Sequence, residues 1–289
     1  GTRHSAEVFT SPPAGGGFIT LAPDFLGYGE SASPSADSIE ERFQTYTTAL
    51  TLLKSIDNLN NALSKCESTF YLNKLEYQNS KFETISNNQN LNAKDVFENL
   101  RIGILNLFRI SDFGFGVFAA TDNTTNNKTP CINNVLADPK KVGIWGHSNG
   151  GHIALSILEL TGKNYPTVLW APVSKPFPYS ILYYTDEFDD HGKALRKVLA
   201  NFEKNYDVEK YSPTNYLKWV NAKMQIHQGG NDEEVPQKWS DNLTVELKKL
   251  DKEIEYFVYP SQDHNFSNSE AWTKAVLRSI EFYRKNFNF

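Results

Sequence analysis

Apolar residues in the second half of the chain gather into short, nearly continuous runs. Residues 141–146 read KVGIWG, 166–172 PTVLWAP, 223–229 KMQIHQG and 253–260 EIEYFVYP. Runs of this kind, rich in β-branched and aromatic residues, mark strands buried on both faces. The stretches 149–161, 236–250 and 269–286 read as helices between and after them. Strand alternating with helix predicts an α/β fold, a mostly parallel twisted sheet with helices on both faces. Nearer the N-terminus, FITLAPDF (18–25) is a short buried strand closed by the turn LGYGES. In residues 36–56, Ile39, Phe43, Tyr46, Leu50 and Leu53 recur three or four apart, which predicts a helix.

Two stretches interrupt the pattern. Residues 57–136 are rich in Asn, Ser and Lys, and the expectation is a mainly helical insertion with helices near 59–84 and 93–109. Residues 173–222 form a long aromatic-rich excursion placed to act as a cap. The whole, 1–289, is read as one catalytic domain. No internal repeat is present.

Composition narrows the function classes. The 289 residues are 39% hydrophobic, enough for a large core, with a formal charge of -5. No basic stripe interleaved with aromatics is present, so nucleic acid is not an expected partner. No run of 18 apolar residues occurs; the nearest candidate, 102–120, is interrupted by Arg109 and Asp112, so no transmembrane segment is expected. The two cysteines, Cys66 and Cys131, lack zinc-site spacing, and their pairing stays open. Neither a metal nor an organic cofactor is expected. The compartment stays open between an extracytoplasmic and a cytoplasmic one, as does the oligomeric state.

The chemistry concentrates at GHSNG, residues 146–150, where a strand becomes a helix. A chain that turns so sharply holds the turning residue in a strained conformation above the sheet edge. Glycines two residues either side avoid a collision, and the following N–H points the same way from a helix N-terminus. Ser148 is thus the candidate nucleophile and the Asn149 N–H a candidate oxyanion donor. A serine hydroxyl needs a base, and the base an orienting carboxylate. On such a sheet these follow in the order serine, acid, histidine, on loops at the carboxyl ends of later strands. IHQGGNDEEVP (226–236) supplies Asp232, with Glu233 and Glu234 as rivals. YPSQDHNF (259–266) supplies His264 as base. Asp263 is too close along the chain to face that ring. His147 and His152 flank the elbow and point sideways or pack, and His227 reads as a core residue. Trp170, Phe177, Tyr183, Tyr184 and Phe188 could line a substrate pocket or pack the cap's own core. Asp186, Glu187, Asp189 and Asp190 could bind a peptide amino terminus or form a solvated loop.

GIWGHSNGGHIAL, HQGGNDEEVPQKWSDNL and IEYFVYPSQDHNF resemble the α/β-hydrolase fold, and within it the prolyl-oligopeptidase-like branch of serine peptidases and esterases. The resemblance covers roughly 17–56 and 138–289. APDFLGYGES (22–31) is similar to a turn that branch carries in the same place. The resemblance implies Ser148 as nucleophile, Asp232 as acid, His264 as base and Asn149 as oxyanion donor. It also implies a second donor from the Gly1-Thr2-Arg3 turn, assigned to Thr2. The expected activity is hydrolysis of short peptides through an acyl-enzyme. The alternatives are a carboxylesterase, a silent hydrolase-fold binding protein, or a lipase with a lid at 101–119. Strands that such enzymes carry upstream are not in the sequence, and one of them normally lies between the strands at 18 and 141. The expectation is an upstream segment of the same polypeptide, or another segment, in that gap.

Overall fold

Strands form where the apolar runs lie, and they assemble side by side in chain order. The structure is a computed structural model that describes residues 17–28, 31–64, 115–122 and 136–288. Among them are β1 (Phe18–Leu21), α1 (Ser38–Ser64), β2 (Phe115–Asp122), β3 (Leu136–His147) and α2 (Asn149–Thr161). Then come β4 (Thr167–Trp170), α3 (Tyr179–Leu182), α4 (Lys193–Phe202), β5 (Met224–Gly229), α5 (Gln237–Lys249), β6 (Ile254–Tyr259) and α6 (Ser269–Phe287). The sheet order is β1-β2-β3-β4-β5-β6. From β3 to β6 all pairs are parallel, with Ile144 opposite Thr167, Thr167 opposite Met224, and Met224 opposite Ile254.

The gap between β1 and β3 is closed from within the chain. β2 lies antiparallel to both, pairing Phe18 with Ala120 and Val117 with Ile144. Backbone groups on both inner edges thereby gain partners, which a buried sheet requires. This corrects the reading of 57–136 as a mainly helical insertion at residues 115–122 alone. α1 continues through 57–64, and 115–122 is a strand of the main sheet. The helices expected near 59–84 and 93–109 otherwise lie outside the described residues, as do Cys66, Cys131 and most of 101–119.

The pleat sends alternate residues to opposite faces. Val142, Ile144, Leu169, Met224 and Ile226 meet α1, α2 and α5 on one face. Trp145, Val168, Trp170 and Tyr259 meet α6 on the other, against Ala275, Ile280 and Tyr283. α2 is the central helix, with Ile153, Leu155, Ile157 and Leu158 all fully buried. Truncating any of them to Ala should cost about 2–5 kcal/mol. The cap, 173–222, has its own apolar cluster in which Phe177, Leu199 and Phe202 pack against Ile39 and Phe43 of α1. No helix among the described residues is long and apolar enough to cross a membrane.

His147, His152 and His227 are buried in this frame, and each is pushed down from 6.5 to about 3, chiefly by burial. Their folded forms refuse protons that the unfolded chain accepts. Their contribution to stability is complete above about pH 6.5 and is lost as pH falls toward 3. Urea unfolding measured between about pH 6 and pH 4 should lose roughly 1.4 kcal/mol per pH unit for each such histidine. His227→Gln should reduce that slope by about one proton's worth; an unchanged slope contradicts the assignment.

Candidate active site

β3 ends and α2 begins with a single residue between them, Ser148, at φ 56 and ψ -122. A non-glycine residue held there carries strain of roughly 1–3 kcal/mol, and the surroundings must impose it. Ser148 N donates to the Trp170 carbonyl at 2.9 Å, and its own carbonyl accepts from Gly151 N and Val173 N at 3.0 and 2.9 Å. These bonds tie the elbow to the end of β4. Gly146 is needed because a Cβ there would lie 2.4 Å from the Gly150 carbonyl oxygen. Asn149 opens α2, where N–H groups face outward and negative charge is favoured.

Asp232 stands on the loop after β5. Its side chain is fully buried, which a carboxylate tolerates only when its oxygens are hydrogen-bonded. Oδ1 accepts from the N–H groups of Glu234 and Val235 at 3.0 and 2.7 Å. Oδ2 accepts from Gln228 Nε2 at 3.0 Å and from His264 Nδ1 at 2.9 Å. Gln228 is held in turn by the Ser240 hydroxyl, 2.6 Å from its Oε1. The rivals do not enter this network through their carboxylates. Glu233 is exposed, and Glu234 Oε2 lies 3.9 Å from His264 Nε2 with its side chain 64% exposed. Asp263 Oδ1 accepts from the N–H groups of Asn265 and Ser267, within its own loop.

His264 is carried by the loop after β6, which lies directly against the Asp232 loop. Gly230 N donates to the Tyr259 carbonyl and Asn231 N to the Gln262 carbonyl. Gly229 makes the approach feasible, since a Cβ there would meet the Asp263 oxygen at 2.4 Å. Phe266 anchors the far end, buried against Trp170 and Tyr259. The loop also docks on the elbow. His147 Nε2 donates to the His264 carbonyl at 2.9 Å, and the two rings lie 4.5 Å apart. Burial and the neighbouring His264 hold His147 neutral. The residue before Ser148 thus grips the loop that bears His264, a positioning role not read from the sequence.

The other predicted residues divide by burial. Trp170 and Phe177 are not on an open pocket. Trp170 packs on Phe266 and donates from Nε1 to Ser279 Oγ at 3.2 Å, and Phe177 is fully buried in the cap's own core. Both are large apolar rings with more to gain from burial than from facing solvent. Tyr183 is 46% exposed and stands edge-on to Trp239 at 5.1 Å, beside the acid loop. Tyr184 joins the cap to that loop, its hydroxyl meeting the Glu233 carbonyl at 2.9 Å and the Glu234 carbonyl. Asp190 caps the turn into α4 through Gly192 N and Ala194 N. Thr2 lies outside the described residues. His227 bonds Tyr259 and Gln225 within the core.

A sheet of this order, with a strained serine at the tip of its third strand and an acid and a histidine after its fifth and sixth, has the α/β-hydrolase fold. Residues 129–289, more than half of the chain, match the model of the prolyl oligopeptidase family, and the chain belongs to that family. It is 26% identical over 132 residues to an uncharacterized peptidase, YuxL, of Bacillus subtilis, covering 46% of this chain and 20% of that protein. It is also 26% identical over 149 residues to a second B. subtilis uncharacterized peptidase, YtmA, covering 50% and 55%. The chain therefore spans only part of these relatives. Among solved structures, a Mycobacterium tuberculosis puromycin-hydrolyzing peptidase is similar at 20% identity and a TM-score of 0.45, over 53% of this chain and 23% of that one.

Gly229→Ala should force the His264 loop away from its neighbour while the sheet persists. A displacement near 1 Å is enough to cost about 100-fold in turnover. Circular dichroism of native shape with activity reduced to that degree is the expected result; full activity contradicts the role given to the close approach.

Proposed function

We propose that this chain is a serine peptidase working through an acyl-enzyme formed on Ser148. In this reading His264 takes the Ser148 proton as the hydroxyl attacks a substrate carbonyl. Asp232 fixes the imidazole tautomer, with Nδ1–H toward the carboxylate and Nε2 toward the serine, and stabilises the imidazolium that forms. The oxyanion of the tetrahedral intermediate lies against Asn149 N–H, and Thr2 is the proposed second donor. His264 then gives its proton to the leaving amine, and water repeats the sequence in reverse.

The observation that carries this reading is the buried 2.9 Å contact between His264 Nδ1 and Asp232 Oδ2, on a loop hydrogen-bonded to the residue preceding a strained serine. A histidine in that setting is oriented by one partner, and its loop is docked on the elbow that carries the serine, an arrangement that suits nucleophile activation. Family membership favours a peptide substrate, and the peptidase names of the relatives point the same way. The short aromatic face formed by Tyr183 and Trp239, beside the acid loop, suits an apolar substrate group. Carboxylic esters use the same steps and are easier to cleave, so an esterase activity is the second reading.

A fluorophosphonate probe should label the wild-type chain at Ser148 and leave Ser148→Ala unlabelled. Asp232→Asn should lower turnover of peptidyl anilides on the order of 10,000-fold with the fold intact. Labelling that survives in Ser148→Ala, or full turnover by Asp232→Asn, overturns the proposal.

A further inference from the structure

Arg42 lies on α1 where that helix, the first residue of α2 and the cap converge. Its neighbour Phe43 packs into the cap cluster with Phe177 and Phe202, while its own guanidinium turns to the elbow. Nη2 donates to Asn149 Oδ1, and Nε is sealed from solvent with no hydrogen-bond partner. No carboxylate among the described residues forms an ion pair with it. The polar groups around it are neutral. His152 is held far below its usual range by burial and by the Arg42 charge, and Tyr46, whose hydroxyl meets His152 at 2.6 Å, is pushed up by burial. An arginine cannot shed its proton to escape such a place. A partly buried cation without a counter-charge is costly, and an anion brought against it would offset that cost.

The position says which part of a substrate would supply that anion. In the reading above, the carbonyl oxygen of the substrate lies against Asn149 N–H. The group attached to that carbonyl on the acyl side then lies within a side chain's length of Asn149 Oδ1, and so of the guanidinium bound there. We propose that Arg42 forms the floor of an acyl-side subsite that takes a carboxylate on the substrate, such as the side chain of the glutamyl or aspartyl residue whose carbonyl is attacked. Nη1, which is not among the sealed atoms, is left to meet a carboxylate in a charge-assisted contact while Nη2 stays on Asn149. Asn149 thereby joins the two functions, its N–H facing the oxyanion and its side chain steering the charge that selects the acyl group. This inference rests on the serine-hydrolase reading.

The test compares N-acetyl-glutamyl, N-acetyl-glutaminyl and N-acetyl-lysyl 4-nitroanilides on the wild type, Arg42→Gln and Arg42→Glu, with fluorophosphonate labelling of each protein as a control on the nucleophile. A charge-assisted pair lost or gained is worth about 10- to 100-fold in kcat/KM. The wild type should favour glutamyl over glutaminyl by that factor. The ratio should fall to about one in Arg42→Gln, and Arg42→Glu should turn the preference toward lysyl, a gain that misfolding cannot imitate. Wild-type chain that is labelled yet cuts the glutamyl anilide no faster than the glutaminyl one, zero rates included, overturns the subsite and leaves the hydrolase reading standing. A glutamyl preference that persists in Arg42→Gln also overturns it. A wild type that is neither labelled nor active overturns both.

Discussion

A carboxylate removed from water has to be surrounded by donors, and the rest of this site follows from how Asp232 meets that demand. Two of its bonds come from its own loop, through the N–H groups of Glu234 and Val235, and a third from Gln228 at the end of β5. The fourth comes from the loop after a different strand, β6, through His264 Nδ1. That last bond couples two loops which share no local sequence signal, and it fixes which nitrogen of the imidazole is left to face outward. The glycine at 229 lets the loops touch, and the backbone bonds from Gly230 and Asn231 hold them there. A fully bonded buried network of this sort is rigid, and rigidity is what proton transfer at a fixed distance requires.

The elbow is stiffened from the other side. The positive φ of Ser148 persists because β4 holds both its N–H and its carbonyl, directly through Trp170 and through Val173 just beyond the strand. His147 then turns the strand tip into a docking point for the histidine loop. Two strained or buried features therefore support each other: the serine is presented by the turn that places His147 in the interior, and His147 grips the loop that carries the proposed base. α1 adds a third support, since Arg42 and Tyr46 reach the first turn of α2 through Asn149 and His152.

Much of this was legible in the sequence because its signals are local. VGIW, TVLW and MQIH announced buried parallel strands, and GHSNG between a strand and a helix announced a tight turn. The choice of Asp232 over Glu233 and Glu234 followed from its place nearest the strand tip, and the structure finds it alone among the three with a buried, hydrogen-bonded carboxylate. What was not legible depends on distant pairing. Most of FGVFAATD lay within an apolar stretch weighed as a lid or a membrane-like segment. Its place between β1 and β3 is set by the unpaired edges of two other strands. The aromatic content of the cap could not say which rings face a pocket; Phe177 went to the core and Tyr183 to the surface. Arg42 carries no signal in the sequence, because nothing within α1 reports its contact with Asn149, 107 positions away.

The account's central claim is spatial: the imidazole ordered by Asp232 serves the hydroxyl of Ser148. A crystal structure of the chain after reaction with a diphenyl phosphonate tests it most directly. The account predicts phosphorus bonded to Ser148 Oγ, one phosphoryl oxygen on Asn149 N–H, and His264 Nε2 within hydrogen-bonding distance of the adduct while Nδ1 stays on Asp232. An adduct on another residue, or one on Ser148 with the His264 ring turned away and Asp232 bound elsewhere, would contradict it.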